Sequence, residues 1–185
     1  MKTYSQAFER QWSKLMYAFF DYLPTRYRQV SPHDWNVRRL IWGFKEGRNS
    51  LQVAKLVADK MVRTFGKEAE NIVFCCIPAS SGAKNEIRYR DFSAEVCRLT
   101  GAVNAYDHIK VSGERLAIHE SKSGKRVQNV QTVDFDTDFF RGKRILVFDD
   151  VLTLGFSYAR FACRLETFGA SVVGAFFLGR TLLLN

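Results

Sequence analysis

The sequence predicts an α/β protein: a three-layer, Rossmann-like arrangement with a central parallel sheet and an N-terminal helical cap. Three observations carry this. From Ile72 onward, short apolar runs alternate with stretches of helical period, the pattern of parallel strands joined by crossover helices. Ile145-Leu146-Val147-Phe148 is apolar throughout, as a strand buried on both faces must be. Residues 1–70, by contrast, read as one helix after another. The expected organisation is a helical cap at 1–70 and a sheet-forming core at 71–185, together one compact domain.

In chain order, Phe8, Trp12, Leu15 and Phe19, with Met16 and Phe20 beside them, make an apolar stripe over Tyr4–Tyr22. Pro24 stops it, so a helix is expected there. Ser31-Pro32-His33-Asp34 has the form of a helix start with proline in the first turn. Asn49-Ser50 can cap a third helix, with Leu51, Ala54, Ala58 and Met61 on one face. Helices this rich in Trp and Phe are expected to pack on each other and on the sheet edge, as a cap. Ile72–Ile77 is the first strand, Tyr89–Thr100 the next helix, and Gly101 its terminator. Ala102–His108 is a second strand and Ser171–Gly179 the last. Lys110–Gln131 has little apolar periodicity and many charges, as a lid or a solvated loop would.

Composition narrows the classes. The chain has 185 residues, is 46% hydrophobic and contains three prolines, which argues against disorder. Its net charge of +9 suits a polyanionic ligand, nucleic acid included, and equally suits a basic solvated surface. No apolar run approaches the roughly 18 residues needed to span a membrane, and the N-terminus lacks a signal-like apolar core. Cys75, Cys76, Cys97 and Cys163 include no Cys-x-x-Cys pair, so free thiols in a reducing cytoplasm are expected. Adjacent Cys75 and Cys76 should point to opposite sides of their strand.

The chemistry concentrates at Asp149–Ser157. Two carboxylates stand where a buried strand should end, followed by a turn bearing Thr153, Gly155 and Ser157. A helical stripe of Tyr158, Phe161, Ala162, Leu165 and Phe168 comes next. Amides of a first helical turn have no partner inside the helix and attract phosphate. Gly155 lets the backbone turn tightly there. Asp149 and Asp150 would repel a phosphate, and suit sugar hydroxyls or a metal ion held through water. A sugar phosphate is the ligand this turn would fit. Competing motifs fail: Gly174 and Gly179 have Walker spacing but lead into Arg180-Thr181 at the chain's end, and no Gly-x-Gly occurs.

Asp149-Asp150-Val151-Leu152-Thr153-Leu154-Gly155-Phe156-Ser157 resembles the phosphoribosyl-pyrophosphate (PRPP) motif of type I phosphoribosyltransferases. Leu154 and Phe156 stand where that family commonly has smaller residues. The resemblance implies that fold, with Asp149 and Asp150 holding the ribose and Thr153, Leu154, Gly155, Phe156 and Ser157 wrapping the 5′-phosphate. It also implies that Ala79, Ser80, Ser81 and Lys84 receive pyrophosphate. A flap bearing Lys122, Lys125 and Arg126 would close over the ligand. Mg²⁺ would come with PRPP, without direct protein ligands and bridged by water to Asp149 and Asp150.

A narrower resemblance, to competence protein F-like phosphoribosyltransferases lacking their zinc module, rests on three segments. They are Arg39-Leu40-Ile41 through Phe44-Lys45 with Leu56-Val57-Ala58, then Arg88-Tyr89-Arg90-Asp91-Phe92-Ser93, then Arg126-Val127-Gln128-Asn129-Val130. The implied activity is transfer of a phosphoribosyl group to a nitrogen acceptor, whose pocket is expected among the N-terminal helices near Arg180. A non-catalytic PRPP or nucleotide sensor, or a nucleic-acid-associated protein, is the alternative. A second copy of the chain is a further conceivable partner.

Overall fold

In the computed structural model, which describes residues 5–113 and 131–182, the order of elements is α1 (Gln6–Trp12), β1 (Leu15–Tyr22), α2 (Pro32–Lys45), α3 (Ser50–Phe65), β2 (Ile72–Cys76), α4 (Gly82–Thr100) and β3 (Val103–Asn104). There follow β4 (Ile109–Ser112), β5 (Thr132–Phe135), α5 (Thr137–Phe140), β6 (Arg144–Leu152), α6 (Phe156–Thr167) and β7 (Ser171–Thr181). Five strands form one parallel sheet in the order β1-β7-β6-β2-β3, while β4 and β5 pair antiparallel as a separate ribbon. The expected α/β architecture with a central parallel sheet is therefore present.

Strand alternation assigns the sheet's two faces. Phe74, Leu146, Phe148 and Phe176 point toward α2, α3 and α4, and meet Ile41, Phe44, Val57, Met61 and Phe92. Val73, Cys75, Ile145, Val147 and Phe177 point the other way, toward Tyr158, Phe161, Ala162 and Leu165 of α6 and Phe140 of α5. Cys75 and Cys76 thus serve opposite layers, and all four cysteines are free thiols. Burial pushes the Cys75 thiol far above its ordinary value. Among the described residues, no helix is long and apolar enough to cross a membrane.

The helix expected over Tyr4–Tyr22 requires correction. Only Gln6–Trp12 is helical; Leu15–Tyr22 is a strand, paired in parallel with β7 from Leu15–Gly174 to Tyr22–Thr181. Met16-Tyr17-Ala18-Phe19-Phe20 is an aromatic-rich run whose spacing suits either form, and an open edge of β7 decided in favour of the strand. The α4 helix also starts seven residues before Tyr89, because the Ser81 hydroxyl accepts from the Lys84 amide at 3.3 Å and caps it. The second strand shortens to Val103–Asn104, since Asn104 Oδ1 turns back to accept from the Tyr106 amide at 3.0 Å.

Other starts agree with the sequence. Ser31 and Asp34 form a reciprocal capping box, Asp34 N to Ser31 Oγ at 3.1 Å and Ser31 N to Asp34 Oδ2 at 3.0 Å. Asn49 does precede α3, but with φ of 61° and no side-chain cap. Lys122, Lys125 and Arg126 lie outside the described residues.

The β1–β7 junction is close-packed at Gly174. A Cβ there would lie 2.5 Å from the Leu15 carbonyl oxygen and 2.8 Å from the Leu15 Cβ. Gly174→Ala is expected to prise β1 from the sheet and lower stability by about 1–3 kcal/mol, measured as a shift in the urea midpoint.

Candidate functional site

Connections leaving β2 and β6 diverge. After Cys76 the chain passes to α4 on one face of the sheet; after Leu152 it passes to α6 on the other. Neighbouring strands that feed opposite faces open a crevice beyond their carboxyl ends. The ladder shows where it opens. The last β2 pairing is Cys76 with Phe148, and Ile77 N still donates to Phe148 O at 2.8 Å. From Asp149 onward β6 is paired on one side only, with β7. The resulting cleft has a volume of about 540 Å³, within the range usual for small-molecule sites. Its walls include Asp149, Asp150, Thr153 and Ser157 from β6 and the following turn, and Pro78, Ala79 and Ser80 after β2. Lys45, Arg88 and Tyr89 come from α2 and α4, and Tyr22, Pro24 and Thr181 from the β1–β7 end.

A knot of rings sets the relative positions of the charged groups. Phe44 lies 5.9 Å from Phe148 and 6.1 Å from Tyr89, ring centre to ring centre, and Phe92 lies 4.6 Å from Phe148. Each of three rings directly adjoins a charged residue of the cleft in sequence: Phe44 and Lys45, Tyr89 and Arg88, Phe148 and Asp149. Packing the rings therefore brings the charges together.

Asp150 is 7% exposed, and water cannot carry the burden of its charge. Arg88 Nη1 donates to Asp150 Oδ2 at 2.5 Å, and Lys45 Nζ lies 3.8 Å from Oδ1. Among the described residues Asp149 has no such ion pair. Its Oδ1 accepts from the Asp150 amide at 2.8 Å. Burial, and then the neighbouring Asp150 carboxylate, push the Asp149 carboxyl up to about 8; the Asp150 amide, Lys45 and Arg88 oppose the rise. A hydrogen-bond-accepting floor with a protonatable partner suits neutral hydroxyls.

The turn after β6 holds the geometry of an anion seat. Gly155, at φ of 76°, precedes α6, so the amides of its first turn have no partner inside the helix. A Cβ on Gly155 would meet Trp12 Nε1 at 2.7 Å, so glycine is required for space as well as conformation. Phe156, oversized for the motif, faces away from the cleft: its ring stacks on Phe8 at 6.3 Å and meets Trp12 edge-on at 5.7 Å. Leu154 is 65% exposed. Thr153 and Ser157 line the cleft, while Leu154, Gly155 and Phe156 could contribute backbone alone.

The loop after β2 is more constrained than expected. Ala79 lines the cleft, but its amide already donates to Asn85 Oδ1 at 3.0 Å and its carbonyl accepts from Gln131 Nε2 at 2.6 Å. Ser81 caps α4, and Lys84 stands exposed on its first turn; neither is among the lining residues. Ser80 faces the cleft. Arg180, near which the acceptor pocket was expected, pairs with Asp21 at 3.1 Å, and its neighbour Thr181 lines the cleft.

Arg88 and Lys45 had no assigned role in the sequence. Starting α4 at Ser81 would have exposed Arg88, since residues 81, 84 and 88 follow one helical face. Lys45 ends α2 and left no comparable signal.

The fold and cleft together define an α/β protein with a cleft at the topological switch point of its sheet. No protein-family model matches the chain, and no curated protein sequence matches it. Among solved structures, the chain is similar to a purine phosphoribosyltransferase from Pyrococcus horikoshii Ot3, at 13% identity and a TM-score of 0.31, over 89% of this chain and 87% of that one. The superposition is loose, and the site stands on the cleft's own geometry.

Asp149 binds its proton more tightly folded than unfolded. Its contribution to stability is whole below the unfolded value of about 4 and is lost as pH rises through about 8. Asp149→Asn keeps the acceptor for the Asp150 amide and removes that loss. The variant should match the parent near pH 4 and exceed it near pH 8.5 by on the order of 2 kcal/mol in urea unfolding.

Proposed function

We propose that the cleft binds PRPP and that the protein transfers its phosphoribosyl group to a nitrogen acceptor, releasing pyrophosphate. The observation that carries this reading is the convergence, in one cleft, of an acidic pair, a hydroxyl-bearing turn at a helix start, and the small-residue loop after the neighbouring strand. These parts suit a ligand with hydroxyls at its centre and phosphates at both ends. The resemblance of Asp149–Ser157 to the type I phosphoribosyltransferase motif supports it, and the competence protein F-like segments support the narrower kinship.

In this reading, Asp149 and Asp150 hold the ribose hydroxyls. The first-turn amides of α6, with the Thr153 and Ser157 hydroxyls, hold the 5′-phosphate. Ser80 faces the diphosphate, with Ser81 and Lys84 at the rim. The acceptor enters past Tyr22, Pro24 and Thr181. Its nitrogen lone pair forms the bond to the anomeric carbon as the carbon–oxygen bond to diphosphate breaks. Diphosphate leaves with the bonding electrons, and the acceptor proton passes to water. Positioning and preorganised donors supply the acceleration, with no protein nucleophile.

Direct ligation of a divalent cation by the acidic pair does not fit the contacts. Both Asp150 oxygens face cations already, and Asp149 sits where its protonated form is favoured. Mg²⁺, proposed as a cofactor of this class, would arrive on the diphosphate of the ligand.

A non-catalytic sensor is the second reading, favoured by the engagement of Asp150 with Arg88. Incubation with PRPP, Mg²⁺ and a panel of bases and amines separates the two: transfer releases pyrophosphate, and a sensor binds without release. In either case Asp150→Asn should weaken PRPP binding at least about tenfold by calorimetry, with the circular dichroism spectrum unchanged. Equal affinity in parent and variant would remove Asp150 from the site.

A further inference from the structure

Arg88 is held in a contact that the ligand would have to share. Its guanidinium meets Asp150 Oδ2, both residues line the cleft, and its side chain is 15% exposed against 10% for Asp150. An arginine brings five N–H donors, and here Nη1 alone meets the carboxylate. Among the described residues, Nε is shut off from water with no hydrogen-bond partner. A buried donor left unsatisfied is unfavourable, and an arriving anion would relieve it. Arg88 also stands on the helix that begins at the loop after β2, two turns beyond Ser81, and shares the cleft wall with Ser80. Its reach therefore covers both the seat of the sugar hydroxyls and the region facing the diphosphate.

We propose that Arg88 is a specificity-determining residue that neutralises Asp150 in the empty cleft and turns to the anomeric diphosphate when sugar hydroxyls take its place. This rests on the PRPP reading of the cleft. No covalent step is involved: one charge-assisted hydrogen bond is exchanged for others of the same kind. Lys45 remains beside Asp150 throughout, so the carboxylate does not lose all its counter-charge when Arg88 moves. A sugar carrying the 5′-phosphate but no diphosphate must break the Arg88–Asp150 pair and gives the guanidinium nothing in return. Arg88 thereby selects for the diphosphate ester over the simple sugar phosphate.

The experiment compares PRPP with ribose 5-phosphate, by calorimetry with and without Mg²⁺, on the full chain. The parent should bind PRPP more tightly. In Arg88→Gln, PRPP affinity should fall roughly tenfold or more while ribose 5-phosphate affinity holds or rises, collapsing the ratio between them. Arg88→Lys keeps the charge without the planar fork and should recover part of the ratio. A parallel loss for both ligands, in step with a lower melting temperature, would mean that Arg88 only supports the fold, and would overturn the proposal while leaving the PRPP site standing. If Arg88→Gln does not fold, Arg88→Lys decides alone: an unchanged ratio overturns the proposal. A parent that binds neither ligand removes the PRPP site itself, and the role of Arg88 with it.

Discussion

Rings that must be buried, each next to an ionisable residue in the chain, are the constraint on which the site depends. Phe44, Tyr89 and Phe148 come from α2, α4 and β6, elements far apart in the chain, and with Phe92 they fill one core. Fully burying a ring of this kind contributes about 1.5–3 kcal/mol, several times the worth of an exposed ion pair. The rings accordingly decide the packing, and Lys45, Arg88 and Asp149 follow as their chain neighbours. Electrostatics then refines what packing has set. Asp150, next along β6, is acceptable in a nearly dry position because two cations have been delivered to it.

The crevice itself comes from topology. A sheet whose central strands send their connections to opposite faces leaves a gap at their carboxyl ends, and β2 and β6 do so here. The N-terminal segment reinforces one wall of that gap. Trp12 and Phe8 pack on Phe156, and Trp12 lies over Gly155, while Lys14 and Gln11 both bond to Glu166 of α6, Gln11 Nε2 at 2.7 Å. A bulky residue in the turn is accommodated by giving it an outside partner, so the backbone facing the cleft keeps its shape.

Legibility differed by kind of signal. The buried strand β6, the acidic pair, the turn and α6 are contiguous, and an unbroken apolar run giving way to a stripe of period 3.6 can be read directly. The Ser31 capping box was equally local. Leu15–Tyr22 was not, because an aromatic-rich run satisfies helix and strand alike until a neighbouring edge is available. The first turns of α4 were hidden by Lys84, Asn85 and Glu86, whose polarity masks the apolar stripe that begins in earnest at Tyr89. The loop residues near Ser80 looked like free donors, yet the Ala79 amide is committed to Asn85, six residues on.

By itself the sequence determined the α/β class, the buried strand that carries two carboxylates, and the glycine turn that starts α6, since each follows from neighbours along the chain; that β6 runs on past the pair to Leu152 came from its pairing with β7. Only the tertiary structure decided that β1 completes the sheet, that β2 and β6 part to form the cleft, and that Arg88 and Lys45 stand against Asp150. Those outcomes depend on pairings between residues tens of positions apart. Such pairings are selected by the burial of shared apolar surface, which no local pattern encodes.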